Sequence, residues 1–362
     1  MGNPFTPTFG SEPLFLAGRD LMIDEVLDGL ANRSGDPNRS TLFVGPRGSG
    51  KTVLLAKIAE LAQAQGWVAA RVTTAPGMAE RLLEQIRRAG QGLLEPAAKS
   101  RLTSVNVSGF GATRQIVSQG STWGERFTRL VEELNSRSVG LLVAVDEVAT
   151  DNPDLAALAT EYQQMVTDKR EVALLMAGLP GKVGQLLRAD SISFLRRAFQ
   201  RRLDAVTRQD AAEAIERTFE ASGRAVEPAA LEYAAAATGG YPFLIQLVGY
   251  HLWRAAPQDG PAGARDAERA AAAAQADMDR MIFDTTIREL SKRDLEFLVA
   301  MTTDPDESTM REIAGRMGAS PSLAGKYRRR LIEQGLIGDA GRGRVRFELP
   351  MLRSYLVARR SP

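Results

Sequence analysis

A glycine-rich loop that ends in lysine and threonine is the strongest chemical signal in the sequence. It follows the apolar run 41–44 and consists of Gly45, Pro46, Arg47, Gly48, Ser49, Gly50, Lys51 and Thr52. This is the complete G-x-x-x-x-G-K-[ST] pattern, in its required place between a strand and a helix. Glycines let successive backbone N–H groups approach phosphate oxygens, and the helix N-terminus adds the positive end of its dipole. The sequence therefore predicts a phosphate-binding loop.

Two residues of this loop carry its predicted chemistry. Lys51 is expected to bring a mobile positive charge to the β- and γ-phosphates. Thr52 is expected to offer its hydroxyl to Mg²⁺, a cation that keeps several water molecules and takes few protein ligands. The predicted ligands are therefore ATP and Mg²⁺.

A second signal is an apolar run that ends in two carboxylates. Residues 141–145 are all apolar, as expected for a strand buried on both faces of a parallel sheet, and Asp146 and Glu147 follow them. Such a run is common as a purely structural feature. Downstream of an intact phosphate loop, however, Asp146 is predicted to belong to the magnesium shell and Glu147 to act as the general base for water.

Composition limits the remaining classes of function. The 362 residues are 44% hydrophobic and 25% charged, which suits two or three globular domains. Cysteine is absent and His251 is the single histidine, so disulfides, thiolate metal sites and histidine-rich clusters are excluded. The sequence has neither a secretion signal nor an apolar run of membrane-spanning length, which predicts a cytoplasmic protein without a membrane partner.

The order of the elements predicts an α/β fold. Strands at about 41–44, 67–72, 141–145 and 172–178 alternate with helices, which is typical of a doubly wound parallel sheet of the P-loop NTPase class. An all-α lid and a C-terminal winged-helix domain are expected to follow. The predicted units are residues 1–205 (ATPase core), 206–255 (helical lid), 256–289 (linker and alanine-rich helix) and 290–362 (winged helix). Alternation within residues 95–121 also predicts a hairpin.

The basic excess of the chain lies at its C-terminus. Residues 290–362 hold 14 Lys and Arg against 9 Asp and Glu, although the whole chain has a net charge of only +2. A helix, a helix-turn-helix and a basic hairpin follow one another there, which is the layout of a winged helix. The predicted contacts to duplex DNA are Lys326, Arg329, Arg330, Arg342, Arg344 and Arg346. A basic surface that is merely solvated is the alternative interpretation.

Two further arginine-bearing segments have two interpretations each. Arg196 and Arg197 belong to a group of four arginines between residues 194 and 203, either a solvated basic face or an arginine finger that reaches a neighbouring subunit's γ-phosphate. Gly18 and Arg19 precede a helix and form either a simple cap or a lid over the adenine edge of the nucleotide.

Taken together, these motifs resemble the AAA+ superfamily, and within it the clade of origin-recognition and archaeal initiator ATPases and their bacterial relatives. Residues 15–19 are similar to the Gly-Arg box of the clade, residues 45–52 to its Walker A motif and residues 143–147 to its Walker B motif. Residues 239–246 are similar to a helical-lid motif, so the resemblance implies that Tyr241 and Pro242 contact the nucleotide.

One departure from this resemblance affects the expected activity. In many such ATPases a polar residue ends the sensor-1 strand and touches the γ-phosphate or the attacking water, whereas here residues 176–179 are Met-Ala-Gly-Leu. We therefore expect an ATPase of low turnover that acts as a switch and binds DNA, alone or as a homo-oligomer. The alternatives are a signalling or scaffold ATPase whose winged helix docks on protein, and a structural protein locked on its nucleotide.

Overall fold

The structure is a computed structural model that describes residues 2–8, 10–32, 34–94, 121–149, 152–189, 195–349 and 351–359. The hairpin predicted within residues 95–121 lies outside these ranges, except for residue 121. Three groups of elements follow one another along the described chain: a sheet with helices on both faces, a bundle of helices, and a smaller unit with a three-stranded sheet.

Parallel strands form the first sheet. They are β1 (Ser40–Val44), β2 (Val68–Thr73), β3 (Leu141–Asp146), β4 (Val172–Gly178) and β5 (Phe199–Arg202). Their order across the sheet is β2-β3-β4-β1-β5. Strands β1, β3 and β4 are buried almost throughout, which their continuous apolar sequences require. The predicted doubly wound parallel sheet is confirmed, and four of its strands are the predicted runs.

The strand β5 has no counterpart among the predicted strands. It lies within the arginine-rich segment and pairs with β1 at the edge of the sheet, where Phe199 is opposite Thr41. Three of its four residues are exposed, so it lacks the apolar alternation that predicts a strand from sequence. Pairing with β1, rather than burial of its own side chains, accounts for its extended backbone.

Helices cover both faces of this sheet. They are α1 (Asp20–Ala31), α2 (Lys51–Ala64), α3 (Met78–Ala89), α4 (Trp123–Ser136), α5 (Pro153–Thr167) and α6 (Pro180–Leu186). Successive side chains of a strand point to opposite faces. Accordingly, Leu141, Val143 and Val145 of β3 pack in one core with α3, α4 and α5. Leu142 and Ala144 pack in the other core with α1 and α2.

The carboxyl ends of β1, β3 and β4 meet at one edge of the sheet. Val44 is opposite Gly178, and Val145 is opposite Met176. Ligands of open α/β sheets bind outside the carboxyl ends of the strands. The β1–α2 loop and the end of β3 both lie at this edge.

Four helices, which we call the lid, follow the sheet. They are α7 (Arg208–Ala221), α8 (Pro228–Ala237), α9 (Pro242–Ala255) and α10 (Ala264–Met278). The alanine-rich α10, predicted to stand between the lid and the C-terminal domain, packs against α8 and α9. Ala267, Ala270 and Ala274 are its buried face, together with Met278.

The C-terminal unit begins after a π-helical turn at Asp279–Phe283. Its elements are α11 (Asp284–Arg288), α12 (Lys292–Met301), β6 (Glu307–Thr309), α13 (Met310–Arg316), α14 (Pro321–Glu333), β7 (Ile337–Asp339), β8 (Arg344–Phe347) and α15 (Leu352–Ala358). The strands pair antiparallel in the order β6-β8-β7. The predicted helices and hairpin are present, and α11, β6 and α15 are additions. Phe283 and Phe297 share one buried cluster with Leu247 of the lid, so the core of the unit is continuous with that of the lid.

A buried arginine joins the start of β1 to the end of α1. Arg39 is 3% exposed. Its Nε donates to the carbonyl oxygen of Gly29 and its Nη2 to that of Leu30, both at 2.8 Å. Its Nη1 lies 2.6 Å from Glu171 Oε2. The side chain thus satisfies carbonyl groups that the end of a helix leaves without intrahelical partners.

We predict that Arg39→Leu lowers the free energy of unfolding by about 3 kcal/mol or more, because each buried carbonyl left unpaired costs about 1–3 kcal/mol. The control is Arg170→Leu. Arg170 pairs with Glu132 at the surface, where both side chains are more than a third exposed, so its loss should cost under about 1 kcal/mol. Urea unfolding measures both changes, and equal losses would contradict the structural role of Arg39.

Candidate functional site

The β1–α2 loop folds around its own lysine. Gly48 and Gly50 have φ angles of 73° and 87°, in the left-handed region that favours glycine. Lys51 Nζ donates hydrogen bonds to the carbonyl oxygens of Gly45 at 2.9 Å and Pro46 at 2.6 Å. Gly50 precedes α2 without a side chain that could cap its first N–H groups. The loop therefore presents a helix N-terminus and an ammonium group together, which suits an anion such as phosphate.

Asp146, the last residue of β3, lies against the first turn of α2. Thr52 Oγ1 donates a hydrogen bond to Asp146 Oδ2 at 2.5 Å. The backbone N–H of Glu147 donates to Asp146 Oδ1 at 2.8 Å. The fold therefore brings the threonine of one predicted motif into contact with the aspartate of the other.

The backbone of Glu147 adopts an unusual conformation. Its φ angle is 53°, which a non-glycine residue adopts at a cost of order 1–3 kcal/mol. Hydrogen bonds on both sides hold it there, because Val148 N also donates to the carbonyl of Ala177 at 2.9 Å. The side chain of Glu147 is exposed, so water can reach its carboxylate, as a general base requires.

Close packing explains why β4 ends without a polar side chain. A Cβ atom on Gly178 would lie 2.5 Å from Val148 Cγ2, so this position accommodates no side chain. Gly45 N also donates to the carbonyl oxygen of Gly178 at 3.3 Å. The end of β4 therefore supports the phosphate loop through its backbone and offers no polar side chain from Gly178.

The lid contacts the phosphate loop through Tyr241. This residue precedes α9, and Pro242 occupies the first helical position, where the lack of an N–H is harmless. The Tyr241 hydroxyl donates to the carbonyl oxygen of Arg47. A Cβ atom on Gly48 would lie 2.7 Å from the ring carbon Cζ, so only glycine fits beneath the tyrosine. Burial of the hydroxyl raises the pKa of Tyr241, which keeps it a neutral donor.

A cavity of about 550 Å³ adjoins the loop. Its walls come from the N-terminal segment, the phosphate loop, the start of α9, the π-helical turn with α11, and the C-terminal unit. Of the predicted nucleotide contacts, the wall includes Arg47, Gly48, Gly50, Lys51, Thr52, Tyr241 and Pro242, and omits Gly45, Pro46, Ser49, Gly18 and Arg19. A cavity of this size is typical of a small-molecule site.

The charge on Lys51 is poorly solvated. Burial lowers the pKa of Lys51 to about 8, against the opposing effect of the Asp146 carboxylate. Arg47 lowers this pKa further, and Glu147 raises it. An anion placed at the loop would raise this pKa again and so stabilise the ammonium form further.

Thr52 and Asp146 fit a magnesium ion. Hydroxyl and carboxylate oxygens are the ligands that Mg²⁺ accepts, and these two are already within hydrogen-bond distance of each other. Within the described ranges, no group of three or more His, Cys, Asp or Glu residues could hold a metal. Phosphate oxygens and water would therefore complete the shell.

Gly18 and Arg19 join α1 to the start of the lid. Arg19 is 7% exposed, and its Nη2 donates to the carbonyl oxygen of Asp204 at 2.7 Å. A Cβ atom on Gly18 would lie 2.7 Å from Asp210 Oδ2 in the first turn of α7. Of the two interpretations, these contacts favour the structural one, and a contact with nucleotide stays a prediction.

Arg196 and Arg197 lie in a helical turn just before β5, and both are exposed. Arg196 Nε donates to the carbonyl oxygen of Leu187 at 2.6 Å. Arg197 makes no hydrogen bond or ion pair with the described part of the chain. Arg201, from the same basic group, pairs with Glu25 of α1. Action of Arg196 or Arg197 on a neighbouring subunit stays a prediction.

Half of the six predicted DNA contacts have acidic partners within the C-terminal unit. The pairs are Arg330 with Asp294, Arg344 with Glu307, and Arg346 with Glu348. Lys326, Arg329 and Arg342 are exposed and make no ion pair with any described residue. These three are therefore the basic side chains most available to a partner.

Two side chains of α14 differ from what helical periodicity indicates. The periodicity puts Leu323 and Leu331 together on the buried side of the helix and Arg328 toward solvent. Arg328 Nη2 instead pairs with Asp339 Oδ2 of β7 at 2.7 Å. Leu323 is 39% exposed, whereas Leu331 is fully buried.

Solved structures with a similar fold include nucleotide-binding proteins. The Walker-type ATPase of Pyrococcus abyssi matches with a TM-score of 0.66 and 15% identity, over 94% of this chain and 96% of that chain. The chain has the fold of a Walker-type ATPase. The ORC2 protein of Aeropyrum pernix, solved in its ADP form, matches with a TM-score of 0.57 and 15% identity over 98% of both chains. Cdc6p of Pyrobaculum aerophilum matches with a TM-score of 0.50 and 17% identity, over 97% of this chain and 96% of that chain.

At the level of fold, these matches confirm the predicted resemblance to the origin-recognition and archaeal initiator ATPases. A family model described as a domain of unknown function (DUF8462) matches residues 280–356, which is nearly all of the C-terminal unit. No curated protein matches the chain. Within the described ranges, the helices are too short or too polar to cross a membrane.

We predict that Tyr241→Phe weakens ATP binding about 3- to 10-fold, because the Arg47 carbonyl loses its donor and the lid loses a tie to the phosphate loop. The matched control is Tyr162→Phe. Tyr162 is also buried and donates to the carbonyl oxygen of another arginine, Arg39, at 3.0 Å, but it does not line the cavity. Fluorescence titration with an ATP analogue measures both variants, and an equal loss of affinity would contradict a specific role for Tyr241.

Proposed function

We propose that the protein is a magnesium-dependent ATP-binding switch that hydrolyses ATP slowly and binds duplex DNA through its C-terminal unit. The observation that carries the proposal is the convergence of Lys51, Thr52, Asp146 and Glu147 at one edge of the sheet. Each of these is the type of residue that its proposed role requires. The fold shared with the Walker-type ATPase of Pyrococcus abyssi supports the proposal.

The triphosphate lies across the loop and the N-terminus of α2. There, Lys51 exchanges the carbonyl oxygens that it now contacts for β- and γ-phosphate oxygens. The nucleoside enters the adjoining cavity, whose wall includes Tyr241 and Pro242. The ADP form of the Aeropyrum pernix ORC2 protein, which has a similar fold, supports a nucleotide as the ligand.

Thr52 and Asp146 would hold Mg²⁺, which would neutralise phosphate charge. The hydrogen bond between the two side chains already places both oxygens together. Asp146 also receives the N–H of Glu147, which fixes its carboxylate plane.

Glu147 acts as the general base for hydrolysis. It takes a proton from the attacking water while the water oxygen bonds to the γ-phosphorus and the bond from phosphorus to the β–γ bridging oxygen breaks, which releases ADP and phosphate. Gly178 cannot carry a side chain that would position this water. Turnover is therefore slow, and the nucleotide state persists long enough to act as a switch.

We predict that Lys51→Ala abolishes ATP binding, whereas Glu147→Gln retains binding and slows turnover by roughly 10²- to 10⁴-fold, the usual contribution of a general base. The matched controls are Lys57→Ala and Glu60→Gln, because these two side chains pair with each other on the surface of α2. Nucleotide titration and phosphate release measure the two effects. Tight ATP binding by Lys51→Ala would contradict the proposed site.

Arg197 is the better candidate for an arginine finger that acts on a neighbouring copy. Arg196 is already hydrogen-bonded to Leu187, whereas the guanidinium of Arg197 is exposed and has no partner among the described residues. A finger must extend beyond its own subunit to reach a γ-phosphate in trans. This role applies only if the chain self-associates.

For DNA, we propose that Lys326, Arg329 and Arg342 make the main contacts. They are exposed and unpaired among the described residues, so binding phosphates breaks no existing ion pair. Before Arg344 or Arg330 can bind a phosphate, its ion pair with Glu307 or with Asp294, respectively, must break. Contacts of this kind position a protein on DNA without selecting a sequence.

We predict that Lys326→Glu combined with Arg329→Glu weakens duplex binding about tenfold or more, and lowers the slope of log K against log salt by about 2. The matched control is Arg87→Glu combined with Arg88→Glu, which changes the net charge equally on the exposed end of α3. Anisotropy titrations of the full chain at several salt concentrations compare them. An equal effect of both pairs would show that net charge, rather than this surface, attracts the DNA.

A second candidate function is docking of the C-terminal unit on protein. The end of α14 already packs on α6, where Gln185 Nε2 donates to Glu333 Oε1 at 2.7 Å. A Cβ atom on Gly181 would lie 2.8 Å from the carbonyl oxygen of Ile332. The C-terminal end of α14 therefore already contacts another part of the protein, the helix α6. Absence of duplex binding by the wild-type chain at low salt would favour this second function.

A further inference from the structure

The cavity beside the phosphate loop is closed in part by the C-terminal unit. Gln334, Leu336 and Leu349 line it together with Lys51 and Tyr241. A ligand that fills the cavity from the loop outward would therefore contact residues that follow α14. The roles proposed above for the nucleotide site do not include these three residues.

The side-chain amide oxygen of Gln334 has no hydrogen-bond donor among the described residues. This Oε1 atom is also shielded from solvent. A buried acceptor without a donor is unfavourable by itself. Because the oxygen has no partner, rotation of the amide about its last side-chain bond breaks no hydrogen bond at that atom.

Several other polar side chains in the cavity wall are engaged with one another or open to water. Gln246 Oε1 accepts the N–H of Thr6 at 3.1 Å. The hydroxyl groups of Thr8 and Ser11 are 2.7 Å apart. Glu289 is exposed, so water can satisfy its carboxylate. Gln334 differs from these side chains, because its amide oxygen is shielded from solvent and has no hydrogen-bond partner in the described structure.

The backbone holds Gln334 firmly in place. It is the C-cap of α14, and the next residue, Gly335, has a φ of 72°. The chain turns there through hydrogen bonds from Gly335 N to the carbonyl of Ile332 and from Leu336 N to that of Leu331, at 3.0 and 3.1 Å. This arrangement is a common helix ending that fixes the direction of the chain.

Close packing anchors the same turn to the ATPase sheet. A Cβ atom on Gly335 would lie 3.3 Å from Leu179 Cδ2, and Leu179 directly follows β4. The position of Gln334 is therefore set relative to the carboxyl edge of the sheet, where the phosphate loop lies.

We propose that Gln334 recognises the exocyclic amino group of adenine, so that the C-terminal unit forms part of the nucleotide site. The inference rests on the proposed function, because it requires phosphates at Lys51 and the base in the adjoining cavity. A glutamine amide offers one acceptor and two donors, and it pairs in bidentate fashion with the amino group and a ring nitrogen of adenine. The apolar side chains of Leu336 and Leu349 flank the base.

The test compares ATP with purine riboside triphosphate, which lacks the amino group but keeps the ring, sugar and phosphates. The wild-type chain is expected to bind ATP about tenfold more tightly than the analogue. The analogue lacks the hydrogen bond from the amino group and leaves the shielded acceptor unpaired. In Gln334→Met, which keeps the side-chain size but removes the amide, this preference should fall to about one. Gln334→Ala makes the same test if Gln334→Met disturbs the fold.

The matched control is Gln185→Met. Gln185 touches α14 through Glu333 but does not line the cavity, so its loss should weaken docking of α14 and leave the preference for ATP intact. An unchanged preference in the Gln334 variants, or no preference in the wild-type chain, would overturn the inference. Failure of both nucleotides to bind the wild-type chain, or binding that survives Lys51→Ala, would overturn the proposed function itself.

Discussion

The close contact between Gly48 and Tyr241 is the constraint on which the candidate site depends. It places the first turn of the lid helix α9 directly on the phosphate loop, and the tyrosine hydroxyl occupies the Arg47 carbonyl that would otherwise lack a donor. A larger residue at position 48 would separate the two, because the space beneath the ring is filled. The contact therefore fixes the part of the cavity wall between the lid and the loop, and Lys51 belongs to the same wall.

The same edge of the sheet connects this site to the C-terminal unit. β4 supports the loop through the Gly178 carbonyl, and the following Leu179 packs on Gly335 at the end of α14. The end of β4 therefore contributes packing contacts on both sides, to the β1–α2 loop and to α14. The helix α14 also carries the exposed Lys326 and Arg329.

Local sequence was sufficient for four of the five strands of the parallel sheet and for the turn between β1 and α2, because these depend on patterns within a few residues. The run before Asp146 is apolar because β3 is buried on both faces, and the loop motif contains its own strand and helix. The edge strand β5 was missed because its residues are largely exposed. Gln334 was missed for another reason: a polar residue at the end of a surface helix has no local signature, and its role depends on a cavity built from distant segments. Ion pairs such as that of Arg330 with Asp294 likewise depend on tertiary packing that periodicity does not specify.

Hydrogen–deuterium exchange of the full chain, with and without Mg²⁺ and ATP, locates a bound nucleotide without any substitution. We expect nucleotide to slow exchange at the amides of residues 47–53, where the loop N–H groups would bind phosphate, and at residues 241–246 of the lid. Slower exchange at Asp146 and Glu147 should accompany it, because the end of β3 contacts Thr52. Unchanged exchange in the loop at a saturating nucleotide concentration, with protection confined to other parts of the chain, would contradict the account.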